Sequence, residues 1–297
     1  MKIKDVSQIW GQNTEFSYCY VIGEIGINHN GNIDLAKKLI QMAKYAGCDA
    51  VKFQKRNPEE AVPNHLKDLP RETPWGVLSY LDYKKRIEFG KKEYDEIDEF
   101  CSEIEIEWSA SAWDKTSLDF LRIYDLPFNK VASAMVTNHQ FLAQVAKEKK
   151  LTFVSTGMCE LSDIDKAVKI FRDASCPIVI LHTISTYPAL HEDLNLLIIK
   201  TLQSRYPEIP IGYSGHESSV TPSLYAAALG AVAIERHITL DRSMYGTDQS
   251  ASLEYRGLSK MISEIRRIPS TMGNGLKHFT DKELIVAEKL RPNFKKL

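Results

Sequence analysis

An α/β barrel of the eightfold (β/α)8 TIM type, with a short N-terminal extension, is the fold class this sequence predicts, on three observations. Eight short apolar runs of strand character alternate with helix-patterned stretches through about 250 of the 297 residues, the length such a barrel takes. No Gly-rich dinucleotide turn follows the first run, which disfavours an open doubly wound sheet. The runs also end in polar residues, at the end where a barrel of this kind keeps its chemistry.

The eight strands are expected at residues 20–28, 50–55, 106–111, 129–133, 151–156, 178–185, 209–214 and 231–237. Between them the helices carry physical punctuation. Asn32 is placed to cap a helix whose stripe is Leu35, Leu39, Met42, Ala43 and Ala46, and Gly47 to end it. Ser162 with Asp165 reads as a capping box before Ile164, Val168, Phe171 and Ala174. Pro222 suits a first helical turn and Gly230 closes that helix. Leu258, Met261, Ile262 and Ile265 form the last stripe, which Pro269 is expected to stop. No linker divides the body. Residues 1–18 are expected to form an extension covering one end, 19–272 the barrel, and 273–297 a last helix (282–290) with a basic tail. The connection from Arg56 to Gly90, with Pro58, Pro63, Pro70 and Pro74, is long enough to be read as a lid over the active face.

Composition narrows the function classes. Apolar residues are 43% and charged residues 26%, an ordinary globular balance. A net charge of −1 gives no field to attract nucleic acid or an anionic membrane, so neither is an expected partner. Lys147, Lys149 and Lys150 suit a solvated helix end. The first residues contain no apolar core of signal-peptide length, and no run reaches the ~18 apolar residues of a membrane span. Five cysteines, widely spaced and without CxxC, suit reduced thiols in a cytoplasmic enzyme, with Cys159 read as packing.

The strand ends carry the chemistry. At strand period Glu235 and His237 share a face, as do Gly212, Ser214 and His216 one strand earlier. The two histidines are 21 residues apart, one strand–helix–strand step. The first strand finishes at Glu24 to Asn28, and the second puts Lys52 and Gln54 on one face. Ser109 and Ser111, Lys130 and Ser133, Ser155 and Thr156, then His182, Ser185 and Tyr187 follow. A lone serine here is usually a cap and a lone lysine an ion pair. Two lysines, two carboxylates and three histidines in one mouth would be costly without ligands. Lysines with hydroxyls suit a phosphate or a phosphate-plus-carboxylate compound. Two histidines with open coordination suit a divalent metal that polarises a carbonyl.

The strings EIGINHNG, DAVKFQ, KVAS, VSTGM, LHTISTYP, GYSGHE and IERHITLDRSMYGTD, in this order, resemble the sialic acid synthase family over roughly residues 20–292. The resemblance implies a barrel enzyme that condenses phosphoenolpyruvate with an N-acetylmannosamine-type sugar, giving a nine-carbon 3-deoxy-2-keto acid and phosphate. By motif, His216 and His237 would be ligands of a Mn2+ or Mg2+ ion. Lys52, Ser111, Lys130, Ser133, Ser155 and Ser214 would cradle phosphoenolpyruvate. Glu24, Gln54, Tyr187 and Asp248 would position the acceptor sugar and handle protons, and Glu235 would act beside the metal, either as an acid–base group or as a group supporting the metal's ligands. In the implied mechanism the metal polarises the C1 aldehyde, C3 of phosphoenolpyruvate attacks it, and water adds at C2. Collapse with C–O cleavage then releases phosphate.

Members of that family usually continue into an antifreeze-like domain that lends an arginine to the partner subunit's sugar site. The chain here ends just past the barrel, so that domain is not expected, its contact and the swapped dimer that goes with it are both open, and a homodimer is kept only as one candidate assembly. Ile184, Met135, Gly215 and Glu217 depart from the family's usual residues. They are expected to surround the acceptor and metal, so that the acceptor differs from plain N-acetylmannosamine. Two rivals stand beside this reading: a Schiff-base aldolase using Lys52 or Lys130, and a barrel that only binds a sugar or a partner protein.

Overall fold

The computed structural model describes residues 18–292. Its eight parallel strands are β1 (Tyr20–Gly26), β2 (Ala50–Lys55), β3 (Glu107–Ala112), β4 (Asn129–Val131), β5 (Thr152–Ser155), β6 (Ile178–Thr183), β7 (Ile211–Gly215) and β8 (Ala233–His237). Each pairs with its sequence neighbours, and β8 closes onto β1 through Tyr20–Ala233 to Glu24–His237. Eight helices follow the strands: α1 (Ile33–Ala46), α2 (Lys91–Glu103), α3 (Lys115–Leu121), α4 (His139–Ala146), α5 (Leu161–Asp173), α6 (Ile198–Arg205), α7 (Thr221–Ala228) and α8 (Tyr255–Met272). A further helix, α9 (Asp281–Leu290), comes after them. The expected barrel is the fold. The N-terminal extension falls almost wholly outside the described residues, as do residues 293–297 of the tail.

Strand parity sorts the side chains into two cores. Outward-facing residues such as Val21, Val51, Phe53, Ile180 and Ile234 join the helix stripes in one continuous layer. Inward-facing Tyr20, Ile22, Ala50, Phe128, Phe153, Val179, Leu181 and Ala233 form a separate plug that fills the lower barrel. Gly212 belongs to that plug. A Cβ there would lie 2.6 Å from Leu181 Cδ2 and 2.7 Å from the Ala233 carbonyl oxygen, so the bulk of Leu181 dictates glycine opposite it. The next inward layer up is polar, and the plug beneath denies it water from below.

The local expectations fare unevenly. Asn32 caps α1 by accepting from the Leu35 amide, and Gly47 ends the helix at φ 95°. The buried stripe of α1 is Ala36, Leu39, Ile40, Ala43 and Ala46, whereas Leu35 and Met42 are half-buried beside it. The capping box of α5 is not Ser162 with Asp165. The helix starts earlier, Glu160 and Asp163 make the box, and Asp165 is drawn sideways to the Arg205 guanidinium on α6. Nor does Pro269 stop α8. It sits in the last turn, where a missing amide removes a single bond, and Gly273 ends the helix at φ 64°. The connection between β2 and α2 is a built excursion. It holds a helical turn (Pro58–Ala61), a hairpin (Pro70–Thr73 with Gly76–Ser79) and a helix (Tyr80–Ile87). It leans on the loop after β8, where Arg71 Nε donates to the Tyr245 hydroxyl at 2.8 Å and that hydroxyl donates to the Glu72 carbonyl at 2.9 Å.

Behind β7 and β8 lies a buried ion pair. Arg236 faces outward between Glu235 and His237, and its Nη1 is 2.8 Å from Glu217 Oε1. The same nitrogen donates to Ser223 Oγ and the Ser219 carbonyl, while the Tyr213 hydroxyl donates to Glu217 Oε2 at 2.8 Å. Both partners are fully excluded from solvent, so neither charge has water to fall back on. Gly215 is coupled to this pair, because a Cβ there would meet Glu217 Oε2 at 2.6 Å. Arg236→Met is expected to lose about 3–5 kcal/mol of stability by stranding the Glu217 carboxylate. Urea denaturation checks this, and Arg236→Met combined with Glu217→Leu should recover most of the loss.

Candidate active site

The upper barrel layer brings the expected strand-end groups into one cleft. Glu24, Lys52, Gln54, Ser111, Lys130, Ser133, Ser155, Tyr187, Ser214, His216, Glu235 and His237 all line it. Two carboxylates and two ammonium groups sit at its base. Lys52 Nζ is 2.6 Å from Glu24 Oε2 and donates to Ser111 Oγ at 2.8 Å, while Gln54 Nε2 donates to Glu24 Oε1 at 2.9 Å. Lys130 Nζ is 3.2 Å from Glu235 Oε1 and donates to Ser155 Oγ at 2.8 Å. Ser214 Oγ donates to the same Glu235 oxygen at 3.1 Å, and Lys52 stands 3.9 Å from Glu235 Oε2.

All four charges are buried, and they balance. Burial pushes the Glu235 carboxyl up, but Lys130 and Lys52 outweigh it and hold it down at about 2. Burial pulls the Lys130 ammonium down, and Glu235 only partly offsets this. Glu235 Oε2 accepts no hydrogen bond among the described residues and is open to a ligand.

Above this base stand the two imidazoles, ring centroids 5.4 Å apart. His216 Nδ1 lies 2.6 Å from the Ile184 carbonyl and so carries the proton, which leaves the Nε2 lone pair to accept from the Tyr187 hydroxyl at 2.8 Å. Burial, with His237 adding to it, lowers His216 to about 3, so the ring is neutral. His237 Nδ1 is buried without a hydrogen-bond partner and stands 3.8 Å from Asp248 Oδ2 at the rim. Among the described residues no group of three or more His, Cys, Asp or Glu side chains is arranged to hold a metal. A neutral nitrogen lone pair and an orphaned buried ring nitrogen do fit a cation held by two protein ligands, with its other positions left to substrate or water.

Some expectations need correcting. His182 is not in the mouth, because β6 turns Val179, Leu181 and Thr183 inward. His182 therefore faces out and bonds the Leu194 carbonyl at 2.7 Å. Thr183 takes its place in the cleft, together with Ser185, Met158 and Trp113. Strand period counted from the apolar residues of β6 could have found Thr183; nothing in the sequence marks Trp113. None of the four departing residues puts a side chain into the cleft. Glu217 and Gly215 belong to the buried pair with Arg236, Met135 packs against the outer core, and Ile184 serves through its carbonyl.

The NeuB family model matches residues 39–277. The chain belongs to this family. It is 36% identical to human N-acetylneuraminate-9-phosphate synthase over 92% of its own length and 76% of that protein's. Against the N,N'-diacetyllegionaminic acid synthase of Legionella pneumophila it is 31% identical, covering 92% of this chain and 78% of the relative. Among solved structures, the N-acetylneuraminic acid synthetase of Leptospira borgpetersenii in complex with citrate superposes with a TM-score of 0.82. That match has 32% identity and covers 94% of both chains. The matched span runs through every strand end of the cleft except that of β1.

Proposed function

We propose that this NeuB-family chain condenses phosphoenolpyruvate with an acylamino-hexose aldehyde of the N-acetylmannosamine type. The products are a nine-carbon 3-deoxy-2-keto acid and phosphate. The observation that carries the reading is the pair Lys52 and Lys130, each hydrogen-bonded to a serine and both flanking Glu235 beneath two imidazoles. It is the donor set that a compound bearing both a phosphate and a carboxylate requires. We assign phosphoenolpyruvate to Lys52, Ser111, Lys130, Ser133, Ser155 and Ser214, and the sugar to Glu24, Gln54, Tyr187 and Asp248. His216 and His237 would hold Mn2+ or Mg2+, which when bound supplies Lewis-acid polarisation of the aldehyde.

The chain's own groups do the rest. The lysines, desolvated over the apolar plug, stabilise charge on phosphate and carboxylate more strongly than they could in water. With phosphate held below and the aldehyde above, C3 of phosphoenolpyruvate faces C1 of the sugar. The C2=C3 π pair forms the C3–C1 bond, the C1=O π pair moves onto the sugar oxygen, and C2 is left electron-poor. Water then adds at C2 and gives a proton to Glu235 Oε2, which passes it to the sugar oxygen. The bond from C2 to the phosphate-bearing oxygen breaks, and its electron pair leaves with phosphate. The C2 hydroxyl becomes the ketone as its proton goes to the departing phosphate. Tyr187, whose ring lies 4.0 Å from the His216 ring, keeps bulk water from the aldehyde once its hydroxyl has given up His216 Nε2 to the cation. No helix of the described residues is long and apolar enough to cross a membrane, and all five cysteines are free. We infer a cytoplasmic enzyme from these.

The test is product analysis with phosphoenolpyruvate, Mn2+ and N-acetylmannosamine or its 6-phosphate. One phosphate per nine-carbon acid, seen by mass spectrometry, is expected. Borohydride trapping of substrate on Lys52 or Lys130 would overturn the reading in favour of Schiff-base chemistry. A second outcome follows from Gly157, whose amide donates to Ser133 Oγ at 3.0 Å and whose added Cβ would run into the Ser185 hydroxyl. Gly157→Ala should displace the cradle and lower kcat/KM for phosphoenolpyruvate by about 100-fold, checked by steady-state kinetics with the thermal midpoint as control.

A further inference from the structure

The ladder between β7 and β8 pairs Tyr213 with Ile234, Ser214 with Glu235 and Gly215 with Arg236, and goes no further. The two histidines stand one residue beyond, where strand pairing no longer sets the gap between these two chain segments. The backbone ties of each run away from the other. The His216 carbonyl accepts from the Ala189 amide and its Nδ1 meets the Ile184 carbonyl, both in the loop after β6. The His237 carbonyl accepts from the Leu253 amide, and the next amide, that of Ile238, donates to the Glu24 carbonyl on β1.

Arg236 takes over where the ladder stops. It precedes His237 and, facing outward, reaches behind the site to the segment that follows His216. There it meets the Glu217 carboxylate at 2.8 Å and donates to the Glu217 carbonyl. It also donates to the Ser219 carbonyl and to Ser223 Oγ on α7, at 2.9 Å each. Glu217 is held from the other side by the Tyr213 hydroxyl at 2.8 Å, and Gly215 leaves the room its carboxylate needs. One member of the pair adjoins each imidazole, and both are closed to solvent. We propose that the Arg236–Glu217 pair is a positioning clasp, which fixes His216 and His237 at the separation a divalent cation needs, 5.4 Å between ring centroids. Neither side chain lines the cleft, so the pair acts only through the two histidines. This rests on the reading of His216 and His237 as ligands of Mn2+ or Mg2+. Charge is part of the design: the Arg236 cation alone would repel a metal at the imidazoles, and Glu217 cancels it.

The test is titration of Mn2+ into the full chain by calorimetry, without substrate, beside a melting curve for each variant. Arg236→Met combined with Glu217→Leu removes both charges at once, so the net charge behind the imidazoles is unchanged and most of the stability returns. Mn2+ affinity should nonetheless fall about ten- to hundredfold, the scale on which the supports of a metal's ligands act. Arg236→Met alone should also weaken binding, whereas loss of a nearby cation, acting through charge only, would tighten it. Gly215→Ala keeps every charge and drives a Cβ to within 2.6 Å of Glu217 Oε2, and it should weaken Mn2+ in the same direction. Affinity within about twofold of the unmodified protein's, in the double variant or, should that not fold, in Gly215→Ala, overturns the clasp and leaves the metal reading standing. Tighter binding in Arg236→Met overturns it as well. No Mn2+ binding by the unmodified protein overturns the metal reading and the clasp with it.

Discussion

Lys130→Ala should lower kcat/KM for phosphoenolpyruvate by about a thousandfold or more, the scale on which one buried electrostatic donor acts on a transition state. Lys130 Nζ is enclosed, bonded to Ser155 and 3.2 Å from Glu235, and water cannot replace it without opening the cleft. Two losses coincide. Phosphate loses a cation as negative charge leaves with it, and Glu235 loses the group that does most to keep it ionised. Glu235 should then titrate upward, and the acid limb of the kcat profile should move to higher pH. Lys130→Met, which keeps the stem, separates this from packing: an equal loss of activity is expected with a smaller loss of thermal stability. Steady-state kinetics as a function of pH, beside a melting curve for each variant, check the prediction.

The second large effect is at the imidazoles. His237→Ala should abolish turnover and reduce Mn2+ affinity by at least about a hundredfold, since one of two protein ligands is removed. Chelator should likewise silence the unmodified protein. Added Mn2+ should restore it fully, whereas His237→Ala should stay silent at the same metal concentration. Titration of Mn2+ by calorimetry reads the site without relying on activity. Tyr187→Phe belongs to the same test. It frees His216 Nε2 from its 2.8 Å hydroxyl contact, so metal affinity should hold or rise while acceptor use falls.

Much of this site was legible in the sequence, because a strand period of two is unforgiving. Glu235 with His237, Ser214 with His216, and Lys52 with Gln54 share faces whatever the loops do, and the barrel then brings those faces together. The failures have physical causes. His182 looks like a mouth residue by proximity, but the parity of β6 sends it outward and Thr183 in. Gly215 and Glu217 look like substrate-facing changes beside His216, yet the carboxylate turns back to Arg236, a partner on the next strand that no local pattern announces. Asp165 matches a cap on paper, but an arginine on α6 competes for it. Residues 56–90 read as a proline-rich loop because the hairpin's alternation is short and its helix buries only Tyr83 and Ile87, which pack with Ile27.

The central claim is that the buried lysine pair and the imidazoles together hold phosphoenolpyruvate for attack on a sugar aldehyde. Phosphate release from phosphoenolpyruvate, followed continuously with Mn2+ present and the acceptor added or withheld, tests it most directly. The account predicts release only when an acylamino-hexose is present, in step with its consumption. Release at the same rate without any acceptor would mean simple hydrolysis, and no release with any acylamino-hexose or its 6-phosphate would mean no condensation. Either result would contradict it.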